Sequence, residues 1–283
     1  MSRILLVGTA TLDLVFELDH HPAADEEMRA RALRTCRGGN AANTAVVLAG
    51  LGHAAEFLGV LADAPETAVI EQDLARHGVS FQHCQRLPGR APTSSIYLAG
   101  ARRSIVHYRD LPELAADRFS SVELGCYDWL HFEGRNVEQL ALMMAHARGT
   151  VPGLPVSLEL EKARDGIESL FGGARLLLCS RGFAQHYGFD HPQDFLAWMQ
   201  ERAPQADVVV AWGESGAFAV NGQTPICHAP AQPSLMVCDT LGAGDTFNAV
   251  VISARLQQLS LPGALEHACG LAGRKCGVYG FDF

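Results

Sequence analysis

Short apolar runs recur along the chain, separated by stretches in which polar and apolar residues mix. The first, Ile4-Leu5-Leu6-Val7, is closed by Gly8 and predicts a strand buried on both faces. Ala55–Val60, Tyr127–His131, Val156–Leu160, Leu176–Cys179 and Val208–Trp212 repeat the pattern. Helical periods lie between them. After Gly38-Gly39-Asn40, the residues Ala41, Ala42, Ala45, Val46, Leu48, Ala49 and Leu51 fit a helix packed closely on a sheet. Thr67–His77, stopped by Gly78, and Val137–Arg148 predict further helices, and Thr246–Leu256 and Leu261–Cys276 end the chain. Core strands alternating with helices imply a parallel α/β sheet covered on both faces.

Two pairs of runs break this rhythm. Leu12–Leu18 with Arg29–Cys36, and Ser94–Leu98 with Ser104–Tyr108, are strand-like with no helix between their members. They predict a small separate sheet, inserted into the α/β body at about residues 12–37 and 92–110. The alternative is that these strands extend the main sheet. Asn221-Gly222, between Ala217–Val220 and Ile226–Ala229, is a hairpin turn. With no linker, repeat or low-complexity tract, residues 1–283 read as one α/β domain.

Composition narrows the function. The net charge of −9 disfavours nonspecific nucleic-acid binding, and no basic tract offsets it. No apolar stretch is long enough to span a bilayer, and the amino terminus enters a strand pattern directly, without a signal peptide. None of the eight cysteines forms a Cys-x-x-Cys pair or a zinc-finger spacing, so a cytoplasmic protein with reduced thiols is expected.

The chemistry concentrates in Val237-Cys238-Asp239-Thr240-Leu241-Gly242-Ala243-Gly244-Asp245-Thr246-Phe247, which reads as a strand end, a glycine pair and a helix start. Glycines let backbone amides converge, and a helix N-terminus adds orphan donors and a positive dipole end. Together they suit a phosphate. Asp245 in the first turn can accept a hydroxyl proton, the pairing that phosphoryl transfer needs. Taken alone, Gly-x-Gly-Asp also fits an ordinary turn whose Asp caps the helix. The chain has no P-loop, and its first strand ends Gly8-Thr9-Ala10 without the dinucleotide fingerprint Gly-x-Gly-x-x-Gly.

Asp239-Thr240-Leu241-Gly242-Ala243-Gly244-Asp245-Thr246-Phe247 resembles the C-terminal signature of the PfkB, or ribokinase-type, carbohydrate kinases. Arg37-Gly38-Gly39-Asn40-Ala41-Ala42-Asn43 resembles their N-terminal signature. Three further segments are similar to the ketohexokinase branch: His131-Phe132-Glu133-Gly134-Arg135-Asn136, Ser157-Leu158-Glu159-Leu160-Glu161-Lys162, and the ending from Gly273 to Asp282. The likeness spans essentially the whole chain. It implies a ribokinase-like three-layer α/β/α sandwich with a small β-sheet lid over the sugar, and a homodimer formed through the lids. The implied reaction moves the γ-phosphoryl of ATP, with Mg2+, to a sugar hydroxyl, and activation by a monovalent cation such as K+ stays open.

The resemblance assigns roles residue by residue. Asp245 is the catalytic base, and Gly242, Ala243 and Gly244 form the anion hole. Asp13 and Asp25 would grip sugar hydroxyls, with Gly39, Asn40 and Asn43 beside them. Arg103 on the lid would reach the transferred phosphate, and Glu133 with Arg135 would support the site. Trp212, Glu214 and Gly216 match the nucleotide-side loop, and Cys269 a residue near the adenine. Many family members carry an Asn-x-x-Glu motif that organises Mg2+. Here the region reads Cys179-Ser180-Arg181-Gly182-Phe183-Ala184, which leaves the metal ligands undetermined, with Glu159 and Glu161 as outer-shell candidates. The expected acceptor is a ketohexose such as fructose. The alternatives are fructose 6-phosphate, ribose, a 2-keto-3-deoxy sugar acid, a sulfonated sugar or a nucleoside, or a catalytically silent sugar or nucleotide sensor on the same fold.

Overall fold

The computed structural model describes every residue except Ala101, Gln223 and Phe283. In chain order the first elements are β1 (Arg3–Val7), β2 (Thr11–Glu17), β3 (Ala32–Gly38), α1 (Asn40–Gly50), β4 (Ala54–Leu58), β5 (Val60–Ala62), α2 (Thr67–Arg76), β6 (Gln85–Leu87), β7 (Thr93–Ala99) and β8 (Arg102–Tyr108). Next come α3 (Ala116–Ser120), β9 (Trp129–Glu133), α4 (Val137–Thr150), β10 (Val156–Leu160), β11 (Leu176–Ser180), α5 (Arg181–His186) and α6 (Pro192–Arg202). The chain ends with β12 (Asp207–Ala211), β13 (Ala217–Asn221), β14 (Thr224–Ala229), α7 (Ala243–Leu256) and α8 (Leu261–Lys275).

The buried apolar runs assemble into one eight-stranded sheet in the order β14-β13-β12-β11-β10-β9-β1-β4. It is parallel from β4 to β12, and the Asn221-Gly222 hairpin adds β13 and β14 antiparallel at one edge. β9 and β10 are buried at every position, as strands covered on both faces must be. Helices α1, α7 and α8 pack together as one covering layer, and α3, α4, α5 and α6 lie among the elements of the other. The architecture is therefore a three-layer α/β/α sandwich.

The strand-like runs that broke the rhythm form a separate four-stranded sheet, β3-β2-β7-β8, and do not extend the main one. All seven residues of β8 are exposed. Four local expectations change. The strand expected at Tyr127–His131 lies two residues later, so that Glu133 becomes its last residue. The run Ala55–Val60 breaks at Gly59, and β5 leaves to pair with β6. No strand precedes Gly242: residues 230–242 are irregular, with Leu235, Met236 and Val237 exposed, because no neighbouring strand is available to pair with them. Helix α7 correspondingly begins at Ala243, three residues before the expected start. No helix among the described residues is long and apolar enough to cross a membrane.

Candidate active site

In a parallel sheet the carboxyl ends of the strands open toward ligands. Here β1 ends into Gly8 and Thr9, β9 ends at Glu133, and β10 carries Glu159 next to its last residue. The N-terminus of α7 meets the same edge. Gly242 caps it with φ 77°, a left-handed conformation that suits glycine, and a Cβ there would also strike the Phe281 ring. The Leu241 amide donates to Asp239 Oδ1 at 2.9 Å, which fixes the turn into the helix. The first-turn amides of Gly244 and Asp245 have no acceptor among the described residues. Gly244 is exposed, with nothing within 4 Å of where a Cβ would stand. The result is an open, donor-lined hollow at the positive end of a 14-residue helix, suited to a phosphate.

Asp245 lies buried beside this hollow. Asn43 on α1 donates to its Oδ2 at 2.6 Å. The Asn43 carbonyl in turn accepts from the buried Arg37 guanidinium, which also donates to Asp73 at 2.6 Å. Asn43 therefore faces the carboxylate and not an open cavity. Burial pushes the Asp245 pKa up to about 7. The Asn43 hydrogen bond and Arg37 work against that rise, while Glu133 and Glu161 add to it. A carboxyl poised there can take a proton near neutral pH.

Further carboxylates surround it. The Glu133 carboxylate accepts from the Thr9 amide at 2.8 Å and from the Thr9 hydroxyl, and pairs with Arg135 at 3.2 Å. Glu159 Oε1 accepts from Asn40 and from Asn248, each at 3.1 Å, and Asn40 also reaches Glu161 at 3.1 Å. Glu159 Oε2 is buried with no partner among the described residues. Burial, reinforced by Asp245, Glu133 and Glu161, raises the Glu159 pKa well above the usual carboxylate range. On β2, Asp13 accepts from Thr11 at 2.7 Å, interacts with Ser94, and packs so tightly on Gly38 that a Cβ there would overlap its carboxylate. Burial lifts its pKa too. Gly39 caps α1 at φ 95°, packed on the Thr9 carbonyl. Ser180, in the segment without Asn-x-x-Glu, caps α5 and donates to the Glu161 carbonyl at 2.7 Å.

Thus the two signatures converge: Asn43 touches Asp245, while Asn40 and Asn248 share Glu159. Asn248 and Arg37 complete the network without having been singled out from sequence. Asn248 carried a usable signal, since it lies three residues after Asp245 on one helix face. Thr9 carried none. Other expected residues stand apart. Asp25 lies exposed in the loop between β2 and β3 at φ 61°, and Arg103 and Glu214 are exposed. Trp212 is buried, with Arg181 5.6 Å from its ring centroid. Gly216 has φ 86°, and a Cβ there would meet the Ala229 carbonyl, to which the buried Cys269 thiol also donates at 3.7 Å. These three gather at the end of β14, with the Trp212 amide donating to the Gly216 carbonyl at 2.7 Å. A cavity of about 640 Å³ between α7 and α8 is lined by Gln232, Val250 and Gly270 among others, and includes none of the carboxylates.

Comparison with known proteins bears on this geometry. The profile of the pfkB family carbohydrate kinases matches residues 1–282. The chain is 35% identical to ketohexokinase of Mus musculus over 99% of its own length and 98% of the relative's. It is 31% identical to ribokinase of Bacillus subtilis over 95% of its own length and 90% of the relative's. Among solved structures, an Arabidopsis thaliana ribokinase complexed with ribose and ATP superposes with a TM-score of 0.81 at 19% identity, covering 99% of this chain and 94% of that one.

Proposed function

Because the chain belongs to the pfkB family of carbohydrate kinases, and so is an ATP-dependent sugar kinase, we propose that it phosphorylates a primary hydroxyl of a ketohexose such as fructose. The observation that carries the transfer chemistry is the meeting of the Asp245 carboxylate with the unpartnered amides of Gly244 and Asp245. The ketohexose assignment rests on the 35% identity to the mouse ketohexokinase.

Asp245 takes the proton of the attacking hydroxyl. The hydroxyl oxygen forms its bond to the γ-phosphorus as the bond to the β-phosphate oxygen breaks, and ADP leaves. Asn43 and Arg37 hold the carboxylate in place, and the α7 amides receive the charge that develops on the transferred group. Asp13, Gly39 and Asn40 face the sugar, Asp25 and Arg103 join on closure of the small sheet, and Glu133 supports the floor through Thr9. Closure excludes water as a competing acceptor. Trp212, Glu214, Gly216 and Cys269 line the nucleotide side.

When bound, Mg2+ would supply neutralisation of the negative charge on the nucleotide's phosphates. The orphaned Glu159 Oε2 and the neighbouring Glu161 fit it, and would hold it through water. No cluster of three or more His, Cys, Asp or Glu among the described residues is arranged to ligate a metal directly. On β8, Ile105, Val106 and Tyr108 are 49%, 62% and 55% exposed, an apolar surface that supports a homodimer through the small sheet. Light scattering at twice the monomer mass checks it.

The deciding experiment measures ADP release from MgATP with fructose, tagatose, ribose, fructose 6-phosphate, 2-keto-3-deoxygluconate and adenosine, with Asp245→Asn as control. Turnover with a free ketose, lost in the control, is the expected result. Turnover confined to another acceptor keeps the kinase and overturns the ketohexose.

A further inference from the structure

Lys275, the last residue of α8, has 0% exposure, and no other Lys, Arg, Asp or Glu among the described residues is buried so completely. An ammonium leaves water only where other oxygens replace its hydration. Its Nζ donates to the Asp239 carbonyl at 3.0 Å and to the Val278 carbonyl at 3.4 Å, and lies 3.5 Å from Asp239 Oδ2. The Phe281 ring covers it at 5.6 Å from the centroid. Burial pulls its pKa down, and the charge and hydrogen bond of Asp239 work against that.

These oxygens belong to two irregular segments. One is the approach to the α7 hollow, residues 238–242. The other is the turn after α8, residues 276–281. Beyond the ammonium, the Cys276 carbonyl joins them, accepting from the amides of Cys238 at 2.8 Å and Asp239 at 3.2 Å. The link runs onward to the site. Asp239 Oδ1 receives the Leu241 amide, and Phe281 packs where a Cβ of Gly242 would stand. The expected strand before Gly242 is absent, so no sheet hydrogen bonds fix this approach. The Lys275 ammonium and the Cys276 carbonyl are contacts that tie it to the C-terminal turn.

We propose that Lys275 is a positioning residue for phosphoryl transfer: its ammonium is a tethered cation in a cage of oxygens, and it aims the first-turn amides of α7 by clamping residues 238–242 to the C-terminal turn. Two carbonyls and a carboxylate are also donors that a hard monovalent cation accepts, so the lysine and an exchangeable ion compete for one place. The proposal rests on the phosphotransfer reading of Asp245.

Lys275→Met keeps the side-chain length and removes the charge. A drop in kcat of about tenfold to a hundredfold is expected, with the KM for sugar little changed, because the donors are misaimed while the sugar contacts stand. Lys275→Ala leaves the oxygen cage open. In choline buffer it turns over slowly, and potassium or methylammonium restores at least part of the rate. A residue that only fills space would not respond to added cations. Lys275→Met with wild-type kcat overturns the proposal, as does a folded, slow Lys275→Ala that no cation revives. Should neither fold, Asp239→Asn keeps the lysine and weakens the cage: a lowered kcat supports the clamp, and an unchanged one refutes it. Wild-type turnover abolished by Asp245→Asn, alongside a normal Lys275→Met, fails the clamp alone. A wild-type protein inactive on every acceptor fails both.

Discussion

At the carboxyl edge of the large sheet, Asp245, Asn43, Arg37 and Asp73 form an unbroken chain of contacts, and Glu159 shares one oxygen between two amides. On the small sheet and its loops, Arg103 and Asp25 stand exposed, and the whole of β8 faces solvent. The first region is organised before any substrate arrives. Asp245, Glu159 and Arg37 are buried, so their polar atoms are answered mostly by the protein itself, with Glu159 Oε2 left over. The second presents side chains exposed to solvent, which on the reading proposed above would gain partners on closure or assembly. Catalytic donors have to be fixed in advance to be effective, whereas substrate-gripping groups can be delivered by a moving layer. The two regions therefore answer differently to substitution.

Asp245→Asn strikes the preorganised side hardest. Turnover should fall about a thousandfold, within the range that a lost general base accounts for, while calorimetry shows ATP affinity little altered. A variant near the wild-type rate would remove Asp245 from the chemistry. Gly242→Ala comes next, at about a hundredfold in kcat and with a lower Tm, because its φ of 77° and the Phe281 ring both oppose a Cβ. On the exposed side, Arg103→Ala should cost about tenfold in kcat and leave Tm unchanged, since its side chain is exposed and makes no ion pair among the described residues. If Arg103→Ala lowers Tm as Gly242→Ala does, the contrast between the regions fails.

A pH profile sharpens the contrast. As the proposed base, Asp245 must be ionised to accept a proton, so kcat/KM should decline as pH falls below about 7. The Asn43 hydrogen bond lowers that pKa. Asn43→Ala removes it, and the acid limb should move to higher pH, with the loss of activity greater at pH 7 than at pH 9. A limb that stays in place would separate Asn43 from the titrating group.

The apolar periodicity made the eight-stranded sheet readable, because strands buried on both faces must be apolar at consecutive positions, as in Val156–Leu160. The small sheet was readable as an interruption of that rhythm. Asp245, Gly242 and Asn43 were readable because two motifs distant in the chain matched one family, and they meet in space. Of the supporting layer, Glu133 and Arg135 were named from the resemblance, but the partner Thr9 was not. Thr9 is held by Glu133 across 124 positions of sequence, and such a pairing leaves no local periodicity. The missing strand before Gly242 misled for the opposite reason. Leu235, Met236 and Val237 look like a strand, but strand formation needs a neighbour, and the approach is pinned by Lys275 and Cys276.

The smallest expected effect concerns stability. The pKa of Asp245 in the folded chain, about 7, lies above its ordinary value of 3.8. The stabilising contribution is therefore complete below about pH 4, where the carboxyl is protonated in both states, and is lost as pH rises through 7. Above that, the native state holds a buried carboxylate that burial penalises more than Asn43 and Arg37 relieve. Asp245→Asn substitutes a neutral side chain that still accepts from Asn43. Thermal melts should show the variant more stable than the wild type at pH 8.5, by a few degrees at most, with the difference shrinking toward pH 5. Together with a collapse in turnover, that gain would mark Asp245 as a group held at a cost to the fold for the sake of the reaction. A variant less stable at pH 8.5 than at pH 5, relative to wild type, would mean that the Asn43–Arg37–Asp73 chain stabilises the ionised carboxylate outright, and that the preorganised region carries no strain to release.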